Sequence, residues 1–268
     1  MKELFFISGL PRSGSTLLSA ILRQNPDFYA DISSPLRDII ASTIDVITLS
    51  ESNHLIDEAR RKTILRAIVD AYYSDVEPET VFDTSRGWTG KTSLLKALYP
   101  NTKIVCCVRD IPWILDSFER ITAKNNLWGT PTTDGEVRET VIRRCDAWME
   151  QVAKPYHFLE ESMLLNPDMI MLVEYEMLCK QPENVMREVY DFIGKPYFDH
   201  DFNDVEYDNE VYDKALNMQG LHTVRKQITW EERSSILPKS VWNKYSGMEF
   251  WRKQAPDFSM KQLYKVKG

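Results

Sequence analysis

Two kinds of apolar run alternate along the chain. Short continuous runs, at Leu4 to Ile7, Phe28 to Ala30, Thr80 to Asp83, Lys103 to Val108 and Met169 to Val173, have the length and composition of buried parallel strands. Between them apolar residues recur at helical spacing. Such stretches include Leu17 to Leu22, Ile39 to Ile47, Leu55 to Tyr73, Leu94 to Leu98 ahead of Pro100, and the segment after Pro112 with Trp113, Ile114 and Phe118. Further helices are predicted from about Gly135 to Leu164 and from Pro182 to Ile193. Strands separated by helices predict an α/β fold with a central parallel sheet between helical layers, and such sheets bind ligands beyond the C-terminal ends of their strands. Lys124 to Asp134 is polar and reads as a flexible lid or acceptor loop, and Lys195 to Asn217 has so little periodicity that it reads as irregular. No repeat or low-complexity linker divides residues 1–268, so a single domain is expected, with about 252–268 as a loose tail.

Composition narrows the partners. At 268 residues and 43% hydrophobic, the chain has enough apolar material for a substantial core. Thirty-three basic against forty acidic side chains leave a net charge of -7, which argues against nucleic acid or an anionic membrane as the main partner. Anionic ligands must then be met by local clusters. Four cysteines, with Cys106 and Cys107 adjacent in an apolar run, suggest neither a disulfide framework nor metal spacing and fit a reducing compartment. The start lacks a signal-peptide pattern, and no run approaches the roughly 18 apolar residues of a membrane span. A soluble cytoplasmic protein is expected, without a metal; its oligomeric state is open, a homodimer included.

The chemistry is concentrated between Leu4 and Leu22, which read as a strand, an abrupt polar turn and a helix. Gly9 and Gly14 permit backbone angles other residues resist, so that N–H groups around Arg12, Ser13, Gly14, Ser15 and Thr16 can converge at a helix start, where negative charge is favoured. The Gly9-x4-Gly14 spacing matches the phosphate loop of nucleotide-binding proteins, but Ser15 stands where that loop needs Lys. The available cation is Arg12, three residues earlier. A second anion site is predicted at Arg109, directly after the strand ending at Val108, together with Ser117 two helical turns on.

The PRSGST loop and the VRDIPWILDS segment resemble those of the sulfotransferases, as do LKALYPNTKIVCCVRD, VEYEML and PENVMREVYDFIG, a likeness running from Leu4 to about Ile193. It looks closer to the bacterial and protein-tyrosine sulfotransferase branch than to the cytosolic small-molecule branch. The resemblance implies a P-loop-like fold and transfer of a sulfuryl group from 3'-phosphoadenosine 5'-phosphosulfate (PAPS) to a hydroxyl or amine of an unidentified small-molecule, glycan or peptide acceptor, leaving adenosine 3',5'-bisphosphate. It implies that the loop with Arg12 cradles the 5'-phosphosulfate, that Arg109 and Ser117 bind the 3'-phosphate, and that Tyr175 helps hold the nucleotide. Arg225 and Lys226 resemble the late basic segment that closes over the 3'-phosphate. Thr84 stands where relatives often have Lys, which makes Arg86 the next candidate cation, with a capping or surface role as the alternative. The catalytic base is open between Asp31 and His222: relatives place a carboxylate shortly after the first helix, although counting from Arg12 lands on Ser33, while imidazole suits proton transfer near neutrality. Two other functions stay in view, a nucleotide kinase or NTPase using ATP and Mg²⁺ and a non-catalytic binding module of the same fold.

Overall fold

The computed structural model describes residues 2–253 except 50, 52, 126–129, 132–136, 206, 208–209 and 216–218. In chain order the first half contains β1 (Glu3–Gly9), α1 (Ser15–Leu22), β2 (Phe28–Ala30), α2 (Leu36–Leu49), α3 (Glu58–Tyr72), β3 (Thr80–Thr84), α4 (Thr92–Leu98), β4 (Ile104–Val108) and α5 (Ile111–Asn125). The second half has β5 (Thr130–Pro131), β6 (Val137–Arg138), α6 (Val141–Leu165), β7 (Ile170–Glu174), α7 (Tyr175–Lys180), α8 (Pro182–Ile193), α9 (Glu210–Ala215), α10 (Lys239–Tyr245) and α11 (Phe250–Lys253).

Five strands form one sheet in the order β2-β3-β1-β4-β7, and every pairing in it is parallel. Successive side chains of a strand point to opposite faces, so the apolar run of β1 supplies both cores at once. Leu4 and Phe6 join the cluster covered by α2 to α6, whereas Phe5 and Ile7 join the cluster covered by α1, α7 and α8. Burial on both faces is why these strands read as unbroken apolar runs and not as alternating ones. Among the described residues no helix is long and apolar enough to cross a membrane.

Several predicted boundaries move, each for a local reason. Asp57 caps α3 by accepting from the Arg60 N–H at 2.7 Å, so this helix starts at Glu58 and Leu55 lies in a preceding 3-10 turn. Thr140 caps α6 in the same way through the Arg143 N–H at 3.3 Å. The segment expected to be irregular contains α9, a six-residue helix tied through Asp213 to His222 and not shaped by apolar periodicity. Arg252, expected in the loose tail, is part of α11 and is ion-paired with Asp110 and Glu174, both at 2.8 Å. Residues 254–268 and most of the predicted Lys124 to Asp134 lid lie outside the described residues.

The strand ends are stitched to one another where the polar loops begin. Leu10 N–H donates to Cys107 O at 2.9 Å, Ser85 N–H to Ile7 O at 3.1 Å, and Ser34 N–H to Thr84 O at 3.1 Å. The loops after β1, β2, β3 and β4 are therefore held side by side at one edge.

Candidate active site

A cleft of about 850 Å³ opens at that edge, lined by the loop after β1, the segment before α2, the turn after β3, Arg109 after β4, Ser117 and Phe118 of α5 and the late segment from Leu221 to Arg233. Its floor depends on two glycines. Gly9 has φ +114°, and a Cβ there would lie 2.1 Å from Cys107 O, so only glycine lets β1 turn out against β4. Gly14 has φ +98° and precedes α1 without a side-chain cap; a Cβ there would meet the Tyr175 ring at 2.8 Å. The first N–H groups of α1 thus reach the cleft with no side-chain cap from Gly14 to satisfy them, an arrangement suited to an anion. Arg12 is the one non-glycine residue with positive φ (56°) among the described residues, and this turn throws its side chain across the cleft.

The two predicted anion sites meet inside this single cleft. Arg12 Nε donates to Ser117 Oγ at 3.1 Å, and its Nη1 donates to Leu221 O. Burial, with Arg109 nearby as a second cation, pushes the Arg12 guanidinium down to about 10, still charged at neutral pH. Arg109 stacks over the Tyr175 ring at 4.2 Å, and its buried Nε has no hydrogen-bond partner among the described residues. A buried guanidinium nitrogen without an acceptor is costly, so the position suits an anionic ligand. Burial lowers the Arg109 pKa and raises that of Tyr175.

Ser15, Thr16, Thr84, Arg86, His222 and Arg225 also line the cleft. Arg86 is accessible to the cleft interior, and desolvation by the surrounding walls lowers its pKa; Tyr212 lies near enough to oppose that shift. His222 is clasped by Asp213 of α9: its Nδ1 lies 2.6 Å from Asp213 Oδ1, and its backbone N–H donates to Asp213 Oδ2 at 3.0 Å.

Three predicted residues are placed elsewhere. Ser13 is buried beneath the loop with its hydroxyl donating to Pro11 O at 3.2 Å. Asp31 is outside the cleft wall, its carboxylate accepting from Ile32 N–H at 2.7 Å and Tyr207 Oη at 3.0 Å, while Ser33 and Ser34 line the cleft beside it. Lys226 is exposed and pairs with Asp204 at 3.5 Å, while its backbone O accepts from the Val205 N–H at 2.8 Å. Arg225 is largely exposed at the cleft rim and pairs with Glu231 at 3.2 Å.

Other contributors gave no sequence signal. Arg233 lines the cleft, is salt-bridged to the fully buried Asp116 at 2.7 Å, and acts electrostatically on Arg109. Asp83, buried at the end of β3, accepts from Ser34 Oγ, Tyr73 Oη and Trp88 Nε1, tying the segment before α2 to the turn that carries Arg86. Both carboxylates lie inside helical or strand patterns whose polar members look incidental until their distant partners are known.

Comparison with known proteins agrees with this geometry. Residues 5–199 match the family described as "Sulfotransferase family". A protein-tyrosine sulfotransferase of Drosophila melanogaster is 25% identical over 215 residues, covering 77% of this chain and 41% of that protein, so the chain spans about two fifths of that relative's length. Two solved sulfotransferase domains share the fold. The one from the Synechococcus PCC 7002 olefin synthase is 16% identical with a TM-score of 0.51, covering 94% of both chains. The one from the curacin biosynthetic pathway is 18% identical with a TM-score of 0.52, covering 98% of this chain and 95% of that one.

Proposed function

The chain belongs to the sulfotransferase family, and from that premise we propose that it transfers a sulfuryl group from PAPS to a hydroxyl, or an amine, of an acceptor. The observation that carries this reading is the pairing of two anion sites in one cleft: the uncapped start of α1 with Arg12, and the unpartnered buried Nε of Arg109 beside Ser117. A donor with phosphate groups on two sides of its ribose requires such a pair. A mononucleotide kinase loop would instead carry Lys at position 15, where this chain has Ser.

In this reading the backbone around Gly14, Ser15 and Thr16 receives the 5'-phosphosulfate, with Arg12 and Arg86 as cations for the charge that develops on the transferring group. Arg109 and Ser117 take the 3'-phosphate, Tyr175 supports the nucleotide, and Arg225 contributes from the rim. The acceptor oxygen forms a bond to sulfur as the sulfur–oxygen bond to the 5'-phosphate breaks, and that electron pair leaves with adenosine 3',5'-bisphosphate. His222 takes the acceptor's proton. Its place in the cleft wall supports it over Asp31, which does not line the cleft and whose Oδ1 accepts from both Ile32 N–H and Tyr207 Oη.

Calorimetry with adenosine 3',5'-bisphosphate tests the donor site. Arg12→Ala and Arg109→Ala are each expected to weaken binding about 10- to 100-fold, the loss of a charge-assisted contact of about 1.5–3 kcal/mol. Unchanged affinity in both variants overturns the assignment. Thermal stabilisation by the bisphosphate without Mg²⁺, and none by ATP with Mg²⁺, separates it from kinase or NTPase chemistry. Binding without transfer from labelled PAPS across a broad acceptor panel identifies a binding module instead.

A further inference from the structure

We propose that Asp213 is a positioning residue for His222, holding the imidazole with its proton on Nδ1 and its unprotonated Nε2 toward the cleft. The inference rests on the sulfuryl-transfer reading and deepens it, since it assigns how the base is prepared.

The geometry commits both oxygens of one carboxylate to one residue. Asp213 is 1% exposed, Oδ2 receives the His222 backbone N–H at 3.0 Å, and Oδ1 lies 2.6 Å from Nδ1. An ionised carboxylate only accepts, so the ring nitrogen facing it must be the donor, and the lone pair of the neutral ring is left on Nε2. Nε2 has no hydrogen-bond partner among the described residues, and His222 forms part of the cleft wall. A clip needed only to fasten α9 to the late segment would be satisfied by the backbone N–H. The ring contact adds control of the tautomer, the condition under which an imidazole in this place can accept a proton.

The same dipeptide is tied to the donor side of the cleft, because Leu221 O accepts from Arg12 Nη1. Base and loop cation are therefore set in register by adjacent residues. The groups that act on His222 are Asp213 from α9, Arg12 from the loop after β1 and Arg86 from the turn after β3, with the Tyr212 ring centroid 5.2 Å away. Burial and the two arginines lower the imidazole pKa while Asp213 opposes them, and the net direction is downward, which keeps the ring neutral near pH 7.

Histidine ¹⁵N–¹H correlation spectra of the full chain, assigned with His222→Gln, test the proposal without any acceptor. The expected wild-type signal is a neutral His222 ring protonated on Nδ1. In Asp213→Asn the side-chain amide can donate to Nδ1, so the expected result is loss of the Nδ1–H signal in favour of Nε2–H, with a lower ring pKa because Arg12 and Arg86 are no longer opposed. Asp213→Glu is expected to restore the Nδ1–H form. Affinity for adenosine 3',5'-bisphosphate should hold or tighten in Asp213→Asn, since the variant removes a negative charge near Arg12 and no proposed nucleotide contact. A wild-type ring protonated on Nε2 overturns the proposal even if the variants fail to fold, as does an unchanged tautomer in Asp213→Asn. Failure of wild-type protein to bind the bisphosphate overturns the sulfuryl-transfer reading instead, whatever the tautomer.

Discussion

A single methyl group has different consequences at two glycines that both have positive φ. Gly194 closes α8 with φ +69° and has nothing within 4 Å of an added Cβ, so Gly194→Ala should cost only the left-handed penalty, about 1 kcal/mol. Gly9, at φ +114°, lies outside that left-handed region, where a side chain is still less tolerated, and it also lies against the β4 backbone. Gly9→Ala should therefore cost at least about 3 kcal/mol, in the range reached when strain and overpacking combine. Urea unfolding of the two variants checks the contrast, and equal losses would mean that neither the backbone angle of Gly9 nor its close approach to β4 is constraining. Gly9, Gly14, Arg12 and Arg109 could be picked out from residue type and spacing alone. Asp213, Asp116 and Asp83 could not, because a buried carboxylate is recognisable only through the donors that distant segments bring to it.

At the level of elements, some helix starts in this chain are closed by a side chain of their own sequence and others, α1, α4, α7, α8 and α10 among them, are not. Asp57 caps α3 and Thr140 caps α6 with side-chain oxygens, whereas Gly14 offers α1 none. Thr140→Ala should lower stability by about 1 kcal/mol, the usual worth of such a cap, as measured by chemical denaturation. For α1 the missing acceptor is expected to arrive with the ligand. Adenosine 3',5'-bisphosphate should consequently raise the melting temperature well above the effect of adenosine at equal concentration, and equal shifts would remove the anion from the account. The strands and the helix from Pro182 to Ile193 were legible because burial on two faces or on one stripe leaves a periodic trace. The short helix α9 left none, since one buried carboxylate and not an apolar stripe ties it to the late segment.

Across the whole molecule, the sheet separates two cores, and the one beneath α1 and α8 contains a titratable group with a calculable effect. His200 is buried beside Tyr190, with Nε2 3.1 Å from its hydroxyl, and burial pulls the imidazole down to about 4 from an ordinary value of 6.5. Between these values the unfolded chain binds a proton that the folded chain excludes, so stability is complete above pH 6.5 and is lost as pH falls toward about 4. The loss should be about 2–3 kcal/mol. Unfolding free energies measured at several pH values should show this slope in wild-type protein and a flatter one in His200→Asn. An equal slope in both would place the acid sensitivity in other groups.

The order of strands and helices, the parallel sheet and the two candidate anion-binding segments were determined by the sequence itself, because backbone period, glycine placement and a cation next to a strand end are local properties. Tertiary structure decided which late residues reach the cleft. An ion pair with Asp204 holds Lys226 at the surface, a buried Asp116 draws Arg233 in, and α9 delivers Asp213 to His222. Each of these depends on contacts between separate segments of the chain, and such contacts leave no periodic mark on either partner.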